Sequence, residues 1–340
     1  MRRVSIEDIA QRANVSHSTV SRALRGNPRI SPGVRTRILA LAREMGYVTN
    51  AIAQSLQQRH SNTIGVVVTD VADPFWGEVV KGIEAVMGEA HKALFLSASQ
   101  HDADRQLAVI EQFQQRRVDG IIIADSQLGP THLSRVVQLA VPAVFLNSQR
   151  ISHASAFRTV SIDNTHGGQL AATHLAGLGH RRVAYLGAHK RPASNQQRHD
   201  GYVNTLYQHG ITDADVMVVH GDAHIDDLTL GYALMHEVWH AHQPTAVFCY
   251  NDMLALGALS FCQQHQIAVP DDMSIVGFDD VALARFSWPA LTTVAQPKVH
   301  LGRQAAHILL DSMAGHATLD SILTPSMVVR SSTAAPKGVV

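Results

Sequence analysis

V-S-I-E-D-I-A-Q-R-A (residues 4–13), followed after Asn14 by V-S-H-S-T-V-S-R-A-L (residues 15–24), is the stretch on which the reading of this chain turns. Ser5 precedes Ile6, Ile9, Ala10 and Ala13, apolar at the i, i+3, i+4, i+7 spacing of a helix face, and Asp8 stands where a capping box needs it. Asn14-Val15 breaks the stripe. Ser16 can cap a second short helix, in which Val20 and Leu24 point inward. A third begins at Ser31-Pro32, cap then first-turn proline, and runs through Val34, Ile38, Leu41 and Met45 to a stop at Gly46. Three short helices, the first two joined by a tight turn, outline a helix-turn-helix.

Charge supports that reading. The 340 residues carry 28 basic and 28 acidic side chains, a formal balance of zero. The balance hides a segregation: residues 1–60 hold ten arginines against Glu7, Asp8 and Glu44, or +7, and residues 61–340 hold 18 bases against 25 acids, or −7. A basic head on an acidic body fits an anionic polymer as the head's partner, with a solvated basic face as the plainer alternative. Length and composition, 46% hydrophobic with 23 glycines, exclude disorder, collagen-like repeats and coiled coil. The apolar runs are too short for a membrane span. Cys249 and Cys262, too few for a disulfide framework, fit buried thiols in a reducing cytosol. The start M-R-R-V-S-I-E-D never develops the apolar core of an export signal, so a cytoplasmic location is expected.

In a helix-turn-helix the second helix enters the DNA major groove, and its N-terminal residues meet base edges. The outward positions here are His17, Ser18, Ser21 and Arg22. Arg22 has the fork that matches guanine O6 and N7, and His17 and Ser18 can donate or accept. Ser5, Ser16, Thr19, Ser21, Arg25 and Ser31 are the candidates for phosphate contacts, which position without reading sequence. A helical hairpin used for protein contacts is the rival. The polar stretch 48–61 then reads as a linker, or as a short helix formed on DNA. In that second reading Asn50 helps cap it, Ala53 and Leu56 share a face, and Leu56 is an apolar wedge for a minor-groove step.

V-S-I-E-D-I-A, V-S-H-S-T-V-S-R-A-L and Y-V-T-N-A-I-A-Q-S-L together resemble the head and hinge of the lac repressor/gal repressor family. Thr49 departs from that family, which usually has proline there to pre-set entry into the hinge helix.

From residue 62 on, short apolar runs at 64–69, 93–97, 120–124 and 143–146 alternate with helical patterns at 75–91, 105–117 and 133–140. A second such series follows: strands near 160–163, 183–187, 216–219, 246–250 and 274–278, with helices near 168–178, 196–209, 229–241 and 253–264. This alternation argues for parallel sheets covered by helices, and its length requires two of them. Ligands in such folds bind off the carboxyl ends of the strands, here between two lobes. Polyols call for planar hydrogen-bonding groups and an aromatic face. Phe75, Trp76, Asp125, Asn251 and Asp279 all follow strands, and Gln296 follows L-T-T-V.

The body also resembles the family's effector domain, itself similar to periplasmic sugar-binding proteins. D-P-F-W-G-E-V-V-K-G-I-E, D-N-T-H-G-G, R-H-D-G-Y, Y-N-D-M-L-A-L-G-A, V-G-F-D-D and P-A-L-T-T-V-A-Q-P occur in the family's order. Arg198, with Ser194 four residues earlier, occupies the R-x-x-G-Y position. The resemblance implies three parts: a helix-turn-helix at 1–47, a hinge at 48–61, and a periplasmic-binding-protein-like α/β core at 62–340. It implies chain crossings near Val160, Leu291 and Pro325, giving one lobe of 62–160 and 292–325 and another of 161–291 and 326–340. It implies a homodimer on a near-palindromic DNA operator, a small-molecule effector in the cleft, most simply a sugar or sugar derivative, and no cofactor. Ala223 replaces an aromatic common in relatives.

Two readings compete. A solute-binding transport receptor matches the body but leaves the head without a use. His236-Glu237-Val238-Trp239-His240 is a literal H-E-x-x-H, the pattern of a zinc hydrolase. Gln243-Pro244 ends that helix without a third ligand in view, and with 21 histidines chance pairings are expected. No metal and no catalytic residue are therefore assigned.

Overall fold

A computed structural model describes residues 4–47, 60–124, 128–147, 157–188, 193–221 and 225–337. The chain divides into two compact units, Met1–Ser61 and Asn62–Val340.

The first unit contains α1 (Ile6–Ala13), α2 (His17–Leu24) and α3 (Pro32–Glu44). Ser5 caps α1 reciprocally: its hydroxyl accepts from the Asp8 amide at 3.2 Å, and the Asp8 carboxylate accepts from the Ser5 amide at 2.8 Å. Asn14 takes the left-handed conformation (φ 52°) that ends the helix. Ile9, Ala10, Ala13, Val20, Ala23, Ile38 and Ala42 form the core. Val34, expected on the inward stripe of α3, is instead 37% exposed, because Ile38 and Ala42 are the positions that meet the other helices.

The second unit alternates strand and helix: β1 (Thr63–Val68), α4 (Pro74–Glu89), β2 (Ala93–Ala98), α5 (Ala103–Gln115), β3 (Gly120–Ala124), α6 (Pro130–Gln138), β4 (Ala143–Leu146) and β5 (Arg158–Ile162). It continues with α7 (Asn164–Gly177), β6 (Val183–Ala188), α8 (Ala193–Gln208), β7 (Val216–Gly221), α9 (Asp227–Ala241), β8 (Ala246–Cys249), α10 (Asp252–Gln264), β9 (Ser274–Asp279) and α11 (Ala282–Phe286). The remainder is β10 (Thr292–Ala295), α12 (Lys298–Met313), β11 (Ser321–Leu323) and β12 (Ser326–Val328). The described strands form two six-stranded sheets, ordered β11-β5-β4-β3-β1-β2 in lobe 1 and β12-β10-β9-β8-β6-β7 in lobe 2. Pairing is parallel except for β12 on β10. Strands such as β3, β6 and β9 are buried along their whole length, which is why they read as continuous apolar runs rather than alternating ones.

One boundary moves. The crossing expected near Leu291 comes later, because Thr292–Ala295 pairs with β9 in lobe 2 and only α12 returns to lobe 1, packing on α4, β3, β4 and β5. Likewise β5 stays in lobe 1 through Ile162, beyond the expected crossing near Val160. The chain returns to lobe 2 between β11 and β12. Both sheets reverse their strand order once among the central strands, between β1 and β3 and between β6 and β8. Ligands bind at such switch points in open α/β sheets.

Candidate functional site

On the head, Ser16 caps α2, its hydroxyl accepting from the Thr19 amide at 3.2 Å and lying 2.8 Å from the Thr19 hydroxyl and 2.9 Å from that of Ser18. This sets the helix so that His17, Ser18, Arg22 and Arg25 are exposed along one shallow concavity completed by Ser21 and Asn27. Ser21 corrects the sequence reading. It is 8% exposed and its hydroxyl accepts from the Arg25 guanidinium, so it holds Arg25 rather than facing outward. The reason is helical geometry: Ser21 adjoins Val20 and lies two residues from Ala23, on the flank of the buried stripe. The Ser5 hydroxyl is committed to its capping box, whereas exposed Ser31 makes no capping bond. Asn27 was not anticipated; its side-chain oxygen accepts from the Arg29 amide in a turn just past α2. Asn50, Ala53 and Leu56 lie outside the described residues, as do Thr49, Asp125 and Ala223.

Between the lobes, Thr69, Asp73, Phe75, Trp76, His101, Asn147, Arg198, Tyr250, Asn251, Asp279 and Gln296 surround a narrow cleft of about 350 Å³, part of it open to solvent. Lobe 1 supplies the aromatic side. Asp73 caps α4 by accepting from the Phe75 amide at 2.9 Å, which delivers Phe75 and Trp76 to the first turn. Their rings meet edge-on at 4.8 Å and 83°, and the Trp76 indole N–H donates to Thr69 Oγ1 at 2.7 Å.

Lobe 2 supplies the charged side. Arg198 is placed by a backbone-to-backbone approach of α7 and α8: a Cβ on Gly168 would stand 2.1 Å from the Arg198 carbonyl oxygen, and one on Gly201 2.1 Å from that of Thr165. Its guanidinium lies 3.6 Å from the centre of the Phe278 ring. It donates to the Tyr250 carbonyl at 2.7 Å and to Asn164 Oδ1 at 2.9 Å, and its Nη1 lies 3.8 Å from the Asp279 carboxylate. Gln296 donates its amide to the same carboxylate. Burial pushes the Asp279 carboxyl well above the ordinary range, with the Arg198 charge opposing the shift.

Two of the expected residues act less directly. Asn251 caps α10 and donates to Asp227 at 2.6 Å while lining the cleft. Ser194 stands outside the lining, 3.2 Å from the Tyr250 hydroxyl, and supports that ring from behind. Asn147 was missed, although it follows β4 by the same strand-end rule that found the others. Asn147 Oδ1 and Gln296 Oε1 are buried acceptors with no partner among the described residues, and both line the cleft. An unmet buried acceptor costs about 1–3 kcal/mol, so the cleft is energetically ready for donors.

His236 and His240 are neighbours on α9 with ring centres 4.6 Å apart, and both are exposed, as is Glu237. Among the described residues no group of three or more His, Cys, Asp or Glu is arranged to hold a metal. No described helix is long and apolar enough to cross a membrane.

A head of this kind joined to a two-lobed ligand fold defines a class of DNA-binding regulator, and comparison with known proteins gives the family. Residues 5–50 match the lacI family of bacterial regulatory proteins, and residues 172–333 match the periplasmic binding protein-like domain. The transcriptional regulator GalS of Salmonella typhimurium is 34% identical over 97% of this chain and 97% of its own length. The lac repressor dimer bound to operator and the anti-inducer ONPF is 26% identical, with a TM-score of 0.87 over 98% of this chain and 100% of that one. A lacI-family regulator of Enterococcus faecium with bound ribose is 27% identical, with a TM-score of 0.73 over 80% of this chain and 99% of that one. The chain belongs to the lacI family and is a transcription regulator with a helix-turn-helix head and a two-lobed α/β core.

Proposed function

We propose that this regulator is a cytoplasmic repressor that binds a near-palindromic operator as a homodimer. An uncharged sugar or related polyol in the cleft switches it, and it needs no cofactor. The observation that carries the ligand reading is the pairing of aromatic residues with buried acceptors that want donors: Phe75 and Trp76 line the same cleft as Asn147 Oδ1 and Gln296 Oε1. Sugar hydroxyls supply donors all round a ring whose C–H faces pack on aromatics. The ribose in the Enterococcus faecium relative supports the same class.

In this reading His17, Ser18 and Arg22 meet base edges, while Ser16, Thr19, Arg25 and Ser31 position the head on phosphates. Asn50, Ala53 and Leu56 would join the minor groove. The ligand changes DNA affinity only by its differential affinity for two lobe arrangements, about 1–3 kcal/mol in typical cases. This reading gives the chain no catalytic role, and the exposure of His236, Glu237 and His240 supports leaving the zinc-hydrolase pattern unused, since such chemistry needs a shaped site excluding bulk water.

The test has two stages. Selection from random duplexes should enrich a sequence with two related half-sites. A thermal-shift screen of sugars, sugar acids, phosphosugars and nucleosides should then find a stabiliser, worth about 2.7 kcal/mol at 100 times its dissociation constant. That compound should change affinity for the selected duplex. Absence of sequence enrichment removes the operator reading, and a stabiliser that leaves DNA affinity unchanged favours a plain solute receptor.

A further inference from the structure

We propose that Lys298 is a positioning residue: it pins the turn at 279–281 across the lobe boundary and thereby aims the Asp279 carboxylate into the cleft. Lys298 opens α12, which packs in lobe 1, yet its ammonium donates to the carbonyls of Asp279 at 2.5 Å and Asp280 at 2.7 Å, both at the end of a lobe 2 strand. It is 9% exposed. A buried ammonium has three donors and no acceptor, and here two of them go to backbone oxygens. What it secures is therefore chain conformation.

That conformation needs securing. Asp279 has φ 117° and Asp280 φ 53°, two successive non-glycine residues in the region that favours glycine. Such a conformation is costly and persists only where its surroundings over-determine it. The next residue fastens the turn to both lobes. Val281 is buried in the apolar cluster of lobe 1 that contains Phe75, Trp76 and Val79, while its amide donates to Asp252 of lobe 2 at 2.8 Å. One short turn thus touches lobe 1 through Lys298 and Val281, lobe 2 through β9 and Asp252, and the cleft through Asp279.

The consequence is mechanical. The aim of the carboxylate and the angle between the lobes cannot change independently, because the turn that carries the first is clamped by residues that set the second. A ligand donor that draws on Asp279 shifts the turn, and α12 carries the shift into lobe 1. This last step rests on the reading of Asp279 as an effector contact; the clamp itself does not.

The test uses the full chain without any effector, so that failure of the clamp and failure of the effector reading show up in different experiments. Spin labels are placed at Glu84→Cys on α4 and Asn204→Cys on α8, both exposed, while native Cys249 and Cys262 are fully buried. Labelled chain is diluted with unlabelled chain, so that each measured distance lies within one subunit. The parent should give one narrow distance. Lys298→Met should shift its mean by several ångström and widen it, and Lys298→Arg should restore the parent distribution. Lys92→Met, which removes an ion pair within lobe 1 at 2.9 Å from Asp119, should change nothing. If Lys298→Met fails to fold, Val281→Ala takes its place and should widen the distribution. A parent-like distribution in a folded Lys298→Met or Val281→Ala protein, or the same change in Lys92→Met, overturns the proposal.

Discussion

On the head, His17, Ser18 and Arg22 are exposed, held by one cap and otherwise facing water. In the cleft, Arg198, Gln296 and Asp279 are 3%, 5% and 6% exposed and already bonded to one another or to the backbone. In the proposed reading the head keeps these residues separate, so that each would contribute on its own to binding a polymer that offers many contacts. The cleft binds its polar side chains into a network, so that in the same reading a small ligand would meet groups whose ordering has already been done by folding. Loss of one member should therefore be graded on the head and disproportionate in the cleft.

The largest expected effect tests the network directly. Arg198→Leu leaves the Tyr250 carbonyl and Asn164 Oδ1 without their buried donor, and each unmet acceptor typically costs about 1–3 kcal/mol. Denaturant melts should show a loss of that order. A loss under about 1 kcal/mol would make the cleft as loosely organised as an exposed ion pair.

The next concerns pH. Burial pushes Asp252 up to about 7 from 3.8, so the native state keeps a proton that the unfolded chain releases. Its contribution to stability is full below the unfolded value and disappears as pH rises through the folded one. His180 works in the opposite sense. Burial lowers its imidazole to about 4 from 6.5, so its contribution is present above the unfolded value and is lost as pH falls. The two slopes oppose one another between those limits. Asp252→Asn should therefore make stability climb more steeply from about pH 4 to 6.5 than in the parent, by up to about 1.4 kcal/mol per pH unit. An unchanged slope would show that Asp252 is ionised in the native state.

On the head the expected effects are smaller and local. Arg22→Ala should relax preference at one base pair per half-site by about 1–3 kcal/mol, read from competition between duplexes. An equal loss on all duplexes would make Arg22 a phosphate contact. Ser21→Ala removes only the hydroxyl that orients Arg25, and should weaken binding by about 1 kcal/mol with no change in base preference.

These contrasts also explain what could be read from the sequence. The head was legible because its signals are local: the Ser5–Asp8 box, the Ser16 cap and the Ile9, Ala10, Ala13 stripe lie within one or two turns. Ser21 was misread because a residue beside the buried stripe can fall on either side of it. Strand-end logic found Phe75, Trp76, Asn251, Asp279 and Gln296, since parallel strands declare themselves by apolar runs, while Arg198 and Ser194, inside α8, came from the family resemblance. Strand ends did not reach Thr69, Asp73, His101 or Tyr250, and the resemblance overrated Ser194, whose support of Tyr250 depends on how α8 meets β8. Lys298 gave no signal at all. A lysine at the start of a helix reads as solvated until two distant carbonyls are seen around it.

The contact of α7 with α8 has a consequence for how this protein can change. Where Gly168 and Gly201 bring two helices together main chain to main chain, the position of Arg198 is set by backbone and cannot be adjusted by trading side chains. Even an added methyl would force the helices apart. A lineage adapting to a new ligand, or an engineer retargeting this one, is therefore steered away from Arg198 and toward cleft residues that no helix crossing holds. Phe75 and Trp76 are no freer, since they are buried at the start of α4, which makes its own main-chain crossing with α12 at Gly82 and Gly302. Heritable variation in ligand choice should spare the helices that cross at glycines and accumulate on cleft residues carried by the strand-end loops, such as Asn147.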